Sequence, residues 1–370
     1  MTASLSIHGA SAAAFAGHAG YQRMFRADAL TLGIFLPLRF YQGDMAVLQG
    51  QTALVEAIDR HGFAAVWVRD VPLFDPQFGD AGQVFDPFTY LAWLAARTHR
   101  VALATGSVVM PLRHPIDLAK AAASIDQLSA GRLVMGIASG DRPLEFPAYG
   151  LDHARRGERF ADAVVAFRQW LQPADGALAG HPWAAQGVQL LPPPLSGRIP
   201  LMVTGGARQS LQWIGQHADG WLTYPDATHD TAGPQRLAAK IRAWRAQIPD
   251  GGFRPHMTNE WLDLVDDPDH PRVPLQGGYY LRTGRKGLIA LLEAWERAGV
   301  NHAALGIQFS QRPAADVLQE LAEEVLPLFP SHPGPPSGGW NGSDAFPRSL
   351  SCGPCRPQRE ACSSCPMNYD

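Results

Sequence analysis

The stretch VALATGSVVMPLRHPIDLAKAAASIDQLSAGRLVMGIA, residues 101–138, indicates how this chain folds. Its first nine residues form an apolar and β-branched run that is typical of a buried strand. Four apolar residues then recur at intervals of 4, 3 and 3, which places them on one helical face: Leu118, Ala122, Ile125 and Leu128. Gly131 ends that helix, and residues 133–138 predict a second strand. A strand, a helix and a strand in this order form a unit that joins parallel strands.

The same alternation continues on both sides of this unit. Eight strands are predicted, at residues 30–36, 64–68, 101–109, 133–138, 199–204, 220–224, within 259–265, and 301–309. Each is followed by a stretch with helical periodicity, so residues 28–330 predict an α/β fold, a (β/α)8 TIM barrel with insertions. A doubly wound sheet alternates in the same way. It usually carries a glycine fingerprint after the first strand, where this chain has Leu36-Pro37-Leu38-Arg39.

The two ends of the chain differ from the predicted barrel. Residues 1–27 are expected to form a loose N-terminal arm. In residues 331–370, Gly, Pro and Ser supply 19 of 40 positions, which indicates a flexible tail. All four cysteines lie in this tail, as Cys352, Cys355, Cys362 and Cys365. Two CxxC pairs are typical of a zinc site, and the alternative is a disordered tail with free thiols, so no metal ligand is assigned.

Composition excludes several classes of protein. The absence of cysteine from the first 351 residues excludes a disulfide-stapled secreted scaffold. A net charge of −3 offers no basic footprint for nucleic acid. The apolar runs are strand-sized, whereas a spanning helix needs roughly 20 residues, so no membrane association is expected. The N-terminus has no basic residue before Arg23, unlike a signal peptide. A cytoplasmic enzyme is therefore expected.

In a barrel of this kind the active site is built where the strands end. This rule nominates Asp70, Asp141 and Arg142 as candidate catalytic groups. After the fifth strand, Gly205 and Gly206 would let backbone amides approach a phosphate, with a helix beginning near Ala207 and the charge of Arg208 assisting. The alternatives are a tight turn with a solvated arginine, and a surface pair between Asp141 and Arg142. No nucleophile elbow, zinc-binding helix or Walker loop is present.

Several segments together resemble the luciferase-like flavin-dependent oxidoreductases, which include the bacterial luciferase subunits. They are TLGIFLP at 31–37, RHPIDLAKAAASIDQLSAGRLVMG at 113–136, LLPPP at 190–194, IPLMVTGG at 199–206 and ADGW at 218–221. Their order and spacing match the family across residues 20–329. The segment that ends in the Asp-Gln-Leu-Ser-x-Gly-Arg turn is the most specific of them.

The resemblance implies a set of flavin-binding residues. The flavin phosphate would rest on Gly205, Gly206 and Ala207. The ring would lie over a bulge in the third strand with a non-proline cis peptide, assigned here to Ser107–Val108. Ser139 and Gly140 match residues that border the ring. Many members carry a histidine near the end of the second strand, where this chain has Arg69 and Asp70, so Asp70 is the expected acid or base.

The resemblance also implies a reaction. The leading hypothesis is a two-component monooxygenase that receives reduced FMN from a separate flavin reductase and uses O₂ on a small organic substrate. One alternative uses deazaflavin F420 for hydride transfer. A second alternative is a non-catalytic flavin-binding protein. Members of the family often form homodimers, although no interface is legible in this sequence.

Overall fold

A computed structural model describes residues 8–38, 50–75, 77, 85–172 and 188–333, which belong to one compact unit. Eight parallel strands close into a barrel, which confirms the predicted fold. They are β1 (Thr31–Phe35), β2 (Ala65–Val68), β3 (Ala102–Val109), β4 (Leu133–Ala138), β5 (Leu201–Thr204), β6 (Gly220–Leu222), β7 (His256–Leu264) and, after the pair described below, β10 (His302–Gly306). The order follows the sequence, and β10 pairs with both β7 and β1.

Helices cover the outside of the barrel, with one following each strand as the sequence predicted. The α-helices are α1 (Ala19–Met24), α2 (Gln51–His61), α3 (Pro87–Arg97), α4 (Pro115–Leu128), α5 (Glu145–Ala148), α6 (Arg156–Trp170), α7 (Leu211–His217), α8 (Gly233–Arg245), α9 (Arg285–Ala298) and α10 (Ala314–Glu320). Asp86 and Ser210 cap α3 and α7 by accepting backbone N–H groups. In the described part of the chain, no helix is long and apolar enough to cross a bilayer.

The segment 266–283, between the predicted seventh and eighth strands, contains strands that the sequence analysis did not predict. It contains an antiparallel pair, β8 (Val273–Leu275) and β9 (Tyr280–Thr283), and β9 also pairs in parallel with the end of β7. The connection between β8 and β9 needs Gly277 and Gly278 because both have positive φ, at 68° and 91°. This hairpin extends β7 and brings Tyr279 to the C-terminal end of the barrel.

Two apolar layers hold the barrel together. Within each strand, alternate residues point inward and outward. In β2, Trp67 packs inside the barrel with Met202 and Met257, whereas Val66 and Val68 belong to the layer between the strands and the helices. All of these side chains are buried, and this rigid frame fixes the positions at which the strands end.

The N-terminal segment is not loose over residues 12–25, so that expectation is wrong. Phe15 and Tyr21 are fully buried, stack at 4.6 Å between ring centroids and join the interior core of the barrel. The Ala10 amide donates to Asp219 at 2.7 Å, just before β6, and Gly20 donates to the carbonyl of Gly131, just before β4. These aromatic side chains therefore close the N-terminal end of the barrel. The segment is too short for periodicity to reveal this packing.

The predicted tail begins at residue 331, and residues 334–370 lie outside the described residues. The predictions for Cys352, Cys355, Cys362 and Cys365 therefore stay predictions. The described start of the tail is packed, because His332 is buried and its amide donates to the carbonyl of Arg23.

Candidate active site

The C-terminal ends of the strands surround a cavity of about 720 Å³. This volume lies within the usual range for small-molecule and cofactor sites. Its walls differ in character. One wall, called here the small-residue side, is formed by the ends of β3, β4 and β5: Gly106, Ser107, Ala138, Ser139, Gly140, Thr204, Gly205 and Ala207. The other wall, called the aromatic side, contains Phe35, Arg69, Trp261 and Tyr279.

The small-residue side contains the predicted bulge. The register between β3 and β4 shifts between Thr105 and Val108, and the non-proline cis peptide joins Gly106 to Ser107. Its assignment to Ser107–Val108 is therefore wrong by one residue. Ser107 lines the cavity and shares a hydrogen bond with the hydroxyl of Thr204, but Val108 points into the core beneath the strand. The side-chain alternation of the strand separates these two neighbours.

Glycine has two different reasons to be present on this side. A Cβ at Gly140 would lie 2.8 Å from Val109, and Gly140 has φ of 85°, so the fold itself requires glycine there. A Cβ at Gly206 would meet no protein atom within 4 Å, and its φ is not in the left-handed range. Protein packing therefore does not explain Gly206, whereas close approach of a ligand to its backbone would.

Residues 205–208 form a turn, and α7 begins at Leu211 rather than near Ala207 as expected. Ala207 and Arg208 both adopt positive φ, at 44° and 61°. Such strain persists only where the surroundings enforce it, and it concentrates at ligand sites. Two bonds fix the turn: the Gly205 amide donates to the carbonyl of Leu222, and the Trp221 indole donates to the carbonyl of Gly205.

The start of α6 adds positive charge beside this turn. The Gln209 side chain donates to the carbonyl of Gly157 at 2.8 Å, so the first turn of α6 lies against the turn at 205–208. Burial, and then the charges of nearby arginines including Arg208, lower the pKa of both Arg156 and His153. The Nε of Arg156 is buried without a hydrogen-bond partner among the described residues. Two guanidinium groups and a helix N-terminus therefore favour an anion here.

Asp70 lies at the cavity wall, but its carboxylate is engaged. Both oxygens accept hydrogen bonds from the Arg113 guanidinium, with Oδ1 and Nη2 2.8 Å apart, and Oδ2 also accepts from the Val109 amide at 2.9 Å. Burial raises the pKa of Asp70, and Arg113 opposes that shift. This fork geometry fits an ionised pair. It favours a role in positioning the end of β3, and an acid or base role for Asp70 stays a prediction.

Asp141 and Arg142 both line the cavity, at different depths. Asp141 is exposed at the rim, whereas Arg142 is buried. Burial raises the pKa of nearby Glu145 to about 7, and the charge of Arg142 opposes that shift. Arg142 therefore contributes to the electrostatics of a buried acid, and not only to the rim.

Glu260, in the middle of β7, was missed by the sequence reasoning. Its side chain is 4% exposed, it lines the cavity, and its Oε2 has no hydrogen-bond partner among the described residues. Burial raises the pKa of Glu260 to about 8, against a hydrogen bond from Thr228. A carboxyl group with such a pKa carries a proton at neutral pH and can release it. The available signal was an acid within the predicted seventh strand, although that segment also contains Asp263.

The aromatic side was also missed. Trp261 stacks with Phe35 at 5.1 Å and with Tyr279 at 6.5 Å between ring centroids. The Arg69 guanidinium lies over Trp261, 5.6 Å from the ring centroid. These residues come from β1, β2, β7 and the hairpin, so no local pattern joins them.

The barrel fold and the sequence of this chain can be compared with those of known proteins. The family model described as luciferase-like monooxygenase matches residues 30–255. This chain belongs to the luciferase-like monooxygenase family. A crystal structure of a monooxygenase from Streptomyces bottropensis shares the fold, with a TM-score of 0.64 and 21% identity over 81% of this chain and 99% of that one.

Curated relatives in this luciferase-like family use two kinds of cofactor. An uncharacterised protein of Mycobacterium tuberculosis is 32% identical, over 54% of this chain and 75% of that protein. The oxygenase component of a flavin-dependent trigonelline monooxygenase from Acinetobacter baylyi is 33% identical over 38% of each chain. An F420-dependent hydroxymycolic acid dehydrogenase of M. tuberculosis is 28% identical, over 57% of this chain and 58% of that protein. The chain thus spans less than two thirds of either relative with a named activity.

Proposed function

We propose that this chain is the oxygenase of a two-component flavin-dependent monooxygenase, which binds reduced FMN from a separate reductase and acts with O₂ on a small organic substrate. The observation that carries the proposal is the positive charge beside the turn at 205–208, whose Gly205 and Ala207 line the cavity. The charge of Arg208 in this turn acts on Arg156, and the protein's own packing does not explain the missing side chain of Gly206. The similarity to a flavin-dependent oxygenase component supports the same choice.

The residues around the cavity could hold a flavin with its phosphate at the turn at 205–208 and its ring over the small-residue side. Arg156, Arg208 and the turn amides would hold the phosphate. The short side chains on the small-residue side would leave room for a flat ring system above Ser107 and Gly140. When bound, reduced FMN supplies the electrons that activate O₂. The chain's own part is to orient the substrate, exclude water and hold a proton on Glu260.

The proposal is tested by anaerobic titration of the full chain with reduced FMN, reduced riboflavin and reduced F420. We expect binding of reduced FMN at micromolar affinity or tighter, and weaker binding of riboflavin because it lacks the phosphate. If none of the three binds, the proposed function is wrong. Oxygen uptake with reduced FMN then separates an enzyme from a binding protein, since only an enzyme shows uptake that a substrate stimulates.

F420-dependent hydride transfer is the second candidate, and similarity to the F420-dependent dehydrogenase over 57% of this chain favours it. In that case reduced F420 displaces reduced FMN in a competition titration. The tighter-binding cofactor then identifies the reaction class. Reduced FMN would indicate a reaction with O₂, whereas reduced F420 would indicate hydride transfer, which needs no oxygen.

A further inference from the structure

A buried tryptophan lies behind the cavity wall, where the aromatic side and the small-residue side meet. Trp67 of β2 is fully buried, and its ring centroid is 5.8 Å from that of Phe35 on the aromatic side. A Cβ at Gly106, on the small-residue side, would lie 3.0 Å from the Trp67 ring. Phe35 and Gly106 both line the cavity. Because the interior is closely packed, a shift of the Trp67 ring would move the surface that a ligand meets.

His302 of β10 holds the indole of Trp67. The Trp67 Nε1–H group donates to Nε2 of His302 at 3.0 Å, and both side chains are fully buried. A Cβ at Gly33 of β1 would lie 2.6 Å from His302 Nε2 and 2.8 Å from Trp67 Nε1. Glycine at position 33 therefore leaves room for this hydrogen bond, which crosses β1 to join β2 with β10.

The direction of each hydrogen bond from Trp67 onward follows from the donors. An indole N–H group can only donate, so Nε2 of His302 carries no proton. The proton of the neutral ring is on Nδ1, which donates to the Thr31 hydroxyl at 2.7 Å, and that hydroxyl donates to the carbonyl of Met24 at 2.8 Å. Burial lowers the pKa of His302 to about 3, so the ring is uncharged at neutral pH. The hydrogen bonds therefore run in one direction, from Trp67 to the end of α1.

His302 differs from two other histidines that are as deeply buried. Both of its ring nitrogens are bonded, to Trp67 and to Thr31. His18 and His256 each leave one ring nitrogen without a hydrogen-bond partner among the described residues. A buried polar network in which every member is bonded favours a single arrangement of its side chains. The position of the Trp67 ring is therefore set by His302 as well as by packing.

We infer that His302 is a positioning residue for the flavin-ring end of the cavity, and that it acts through Trp67 on Phe35 and Gly106. The inference rests on the flavin-dependent function proposed above, because the ring would lie over the small-residue side. A wall that is already ordered before the ligand arrives makes binding tighter, since no free energy is then lost in ordering it. Without His302, the indole would have to be ordered when the ring binds.

The test compares two substitutions of His302 in the full chain. Asn reaches only the Nδ1 position, so His302→Asn keeps a donor for Thr31 but leaves the Trp67 indole without an acceptor. Gln reaches the Nε2 position, so His302→Gln keeps an acceptor for the indole. In anaerobic titrations, we expect His302→Asn to weaken reduced FMN and reduced riboflavin about two- to tenfold each. Their ratio should not change, because the phosphate is not involved. His302→Gln should recover most of the affinity.

A second measurement follows the Trp67 indole itself, by NMR of protein labelled with ¹⁵N at tryptophan. The resonance is assigned by its loss in Trp67→Phe. We expect the indole proton to exchange with solvent about tenfold faster in His302→Asn, and near the wild-type rate in His302→Gln. Trp67→Phe removes the same bond from the indole side, so it carries the affinity test if His302→Asn does not fold. Combined with Trp67→Phe, His302→Asn should cause no further loss of flavin affinity.

His18→Asn is the matched control. His18 is also fully buried, but its Nδ1 accepts from the Tyr21 amide and not from a side chain behind the cavity wall. At a temperature where each variant is folded by circular dichroism, His18→Asn should change neither the affinity for the two flavins nor the exchange of the Trp67 indole proton.

Three results would overturn the inference: unchanged flavin affinity in His302→Asn, equal losses in His302→Gln and His302→Asn, or an equal loss in His18→Asn. If the wild type binds reduced FMN and one of these results is found, only the positioning role is wrong. If the wild type does not bind reduced FMN, the proposed function is wrong, and the positioning role falls with it whatever the exchange of the Trp67 proton shows.

Discussion

The ion pair between Asp70 and Arg113 offers the most direct test of how the site is held together. The Asp70 side chain is 1% exposed and that of Arg113 is 19% exposed. Asp70→Asn leaves an acceptor for the Val109 amide but turns an N–H group toward the guanidinium. Breaking a buried pair by removing one partner costs about 3–5 kcal/mol. Because water reaches part of Arg113, we expect a loss of roughly 2–3 kcal/mol in the free energy of unfolding.

The assay is urea unfolding of Asp70→Asn, Arg113→Gln and the double variant, with reduced FMN binding measured on each. The double variant should lose less stability than the sum of the single ones, by about 1–3 kcal/mol, because the two residues share one interaction. Flavin affinity should fall in parallel in both single variants, since each releases the end of β3. Asp86→Asn is the control, because Asp86 is 3.5 Å from Arg113 and 49% exposed.

Two results would refute this reasoning. Additive stability losses would show that the pair is not coupled. Loss of one limb of the pH–rate profile in Asp70→Asn, with the limb retained in Arg113→Gln, would show that Asp70 is the acid or base that the sequence predicted.

Three further predictions concern the rest of the cavity. Gly206→Ala should weaken reduced FMN about tenfold by crowding the phosphate, whereas Gly17→Ala, where a Cβ also meets no protein atom within 4 Å, should not. Arg156→Gln should weaken reduced FMN about tenfold or more but leave reduced riboflavin unchanged, and its exposed neighbour Arg155→Gln should affect neither. Burial raises the pKa of Glu260 from 4.5 to about 8. The neutral carboxyl group therefore contributes stability that is fully present below pH 4.5 and is lost as the pH rises through about 8. Glu260→Gln should therefore gain in melting temperature relative to the wild type as pH rises from 5 to 9, and an equal difference at all pH values would contradict this.

The interior of the chain and its ends were predictable to different degrees. Helices such as α4 and α9 show a clear apolar stripe, so they were found from periodicity alone. Residues 12–25 have only short helical turns, and their burial comes from contacts with strands far along the chain. The local sequence pattern therefore predicted a loose arm, whereas in the structure residues 12–25 pack against the strands and close the N-terminal end of the barrel.

The candidate site divides in the same way. Four residues that the sequence analysis assigned to flavin binding line the cavity, because barrel geometry puts the strand ends together: Ser107, Ser139, Gly140 and Gly205. Their role in flavin binding stays a prediction. Partners were not predictable. Asp70 and Arg113 are 43 positions apart, and neither residue type nor spacing marks them as a pair.

The sequence by itself determined the eight strands of the barrel, their order and the helices that follow them, because strand and helix periods are local properties of the chain. It also predicted that the cavity lies at the strand ends, because parallel strands must end on one side of a barrel. Only the tertiary structure decided which side chains meet there. It placed Arg69 over Trp261, Arg156 beside the turn at 205–208 and Glu260 as a buried acid in the cavity wall. These contacts join strands distant in sequence, and the charge and pKa of each group depend on the neighbours that closure of the barrel provides.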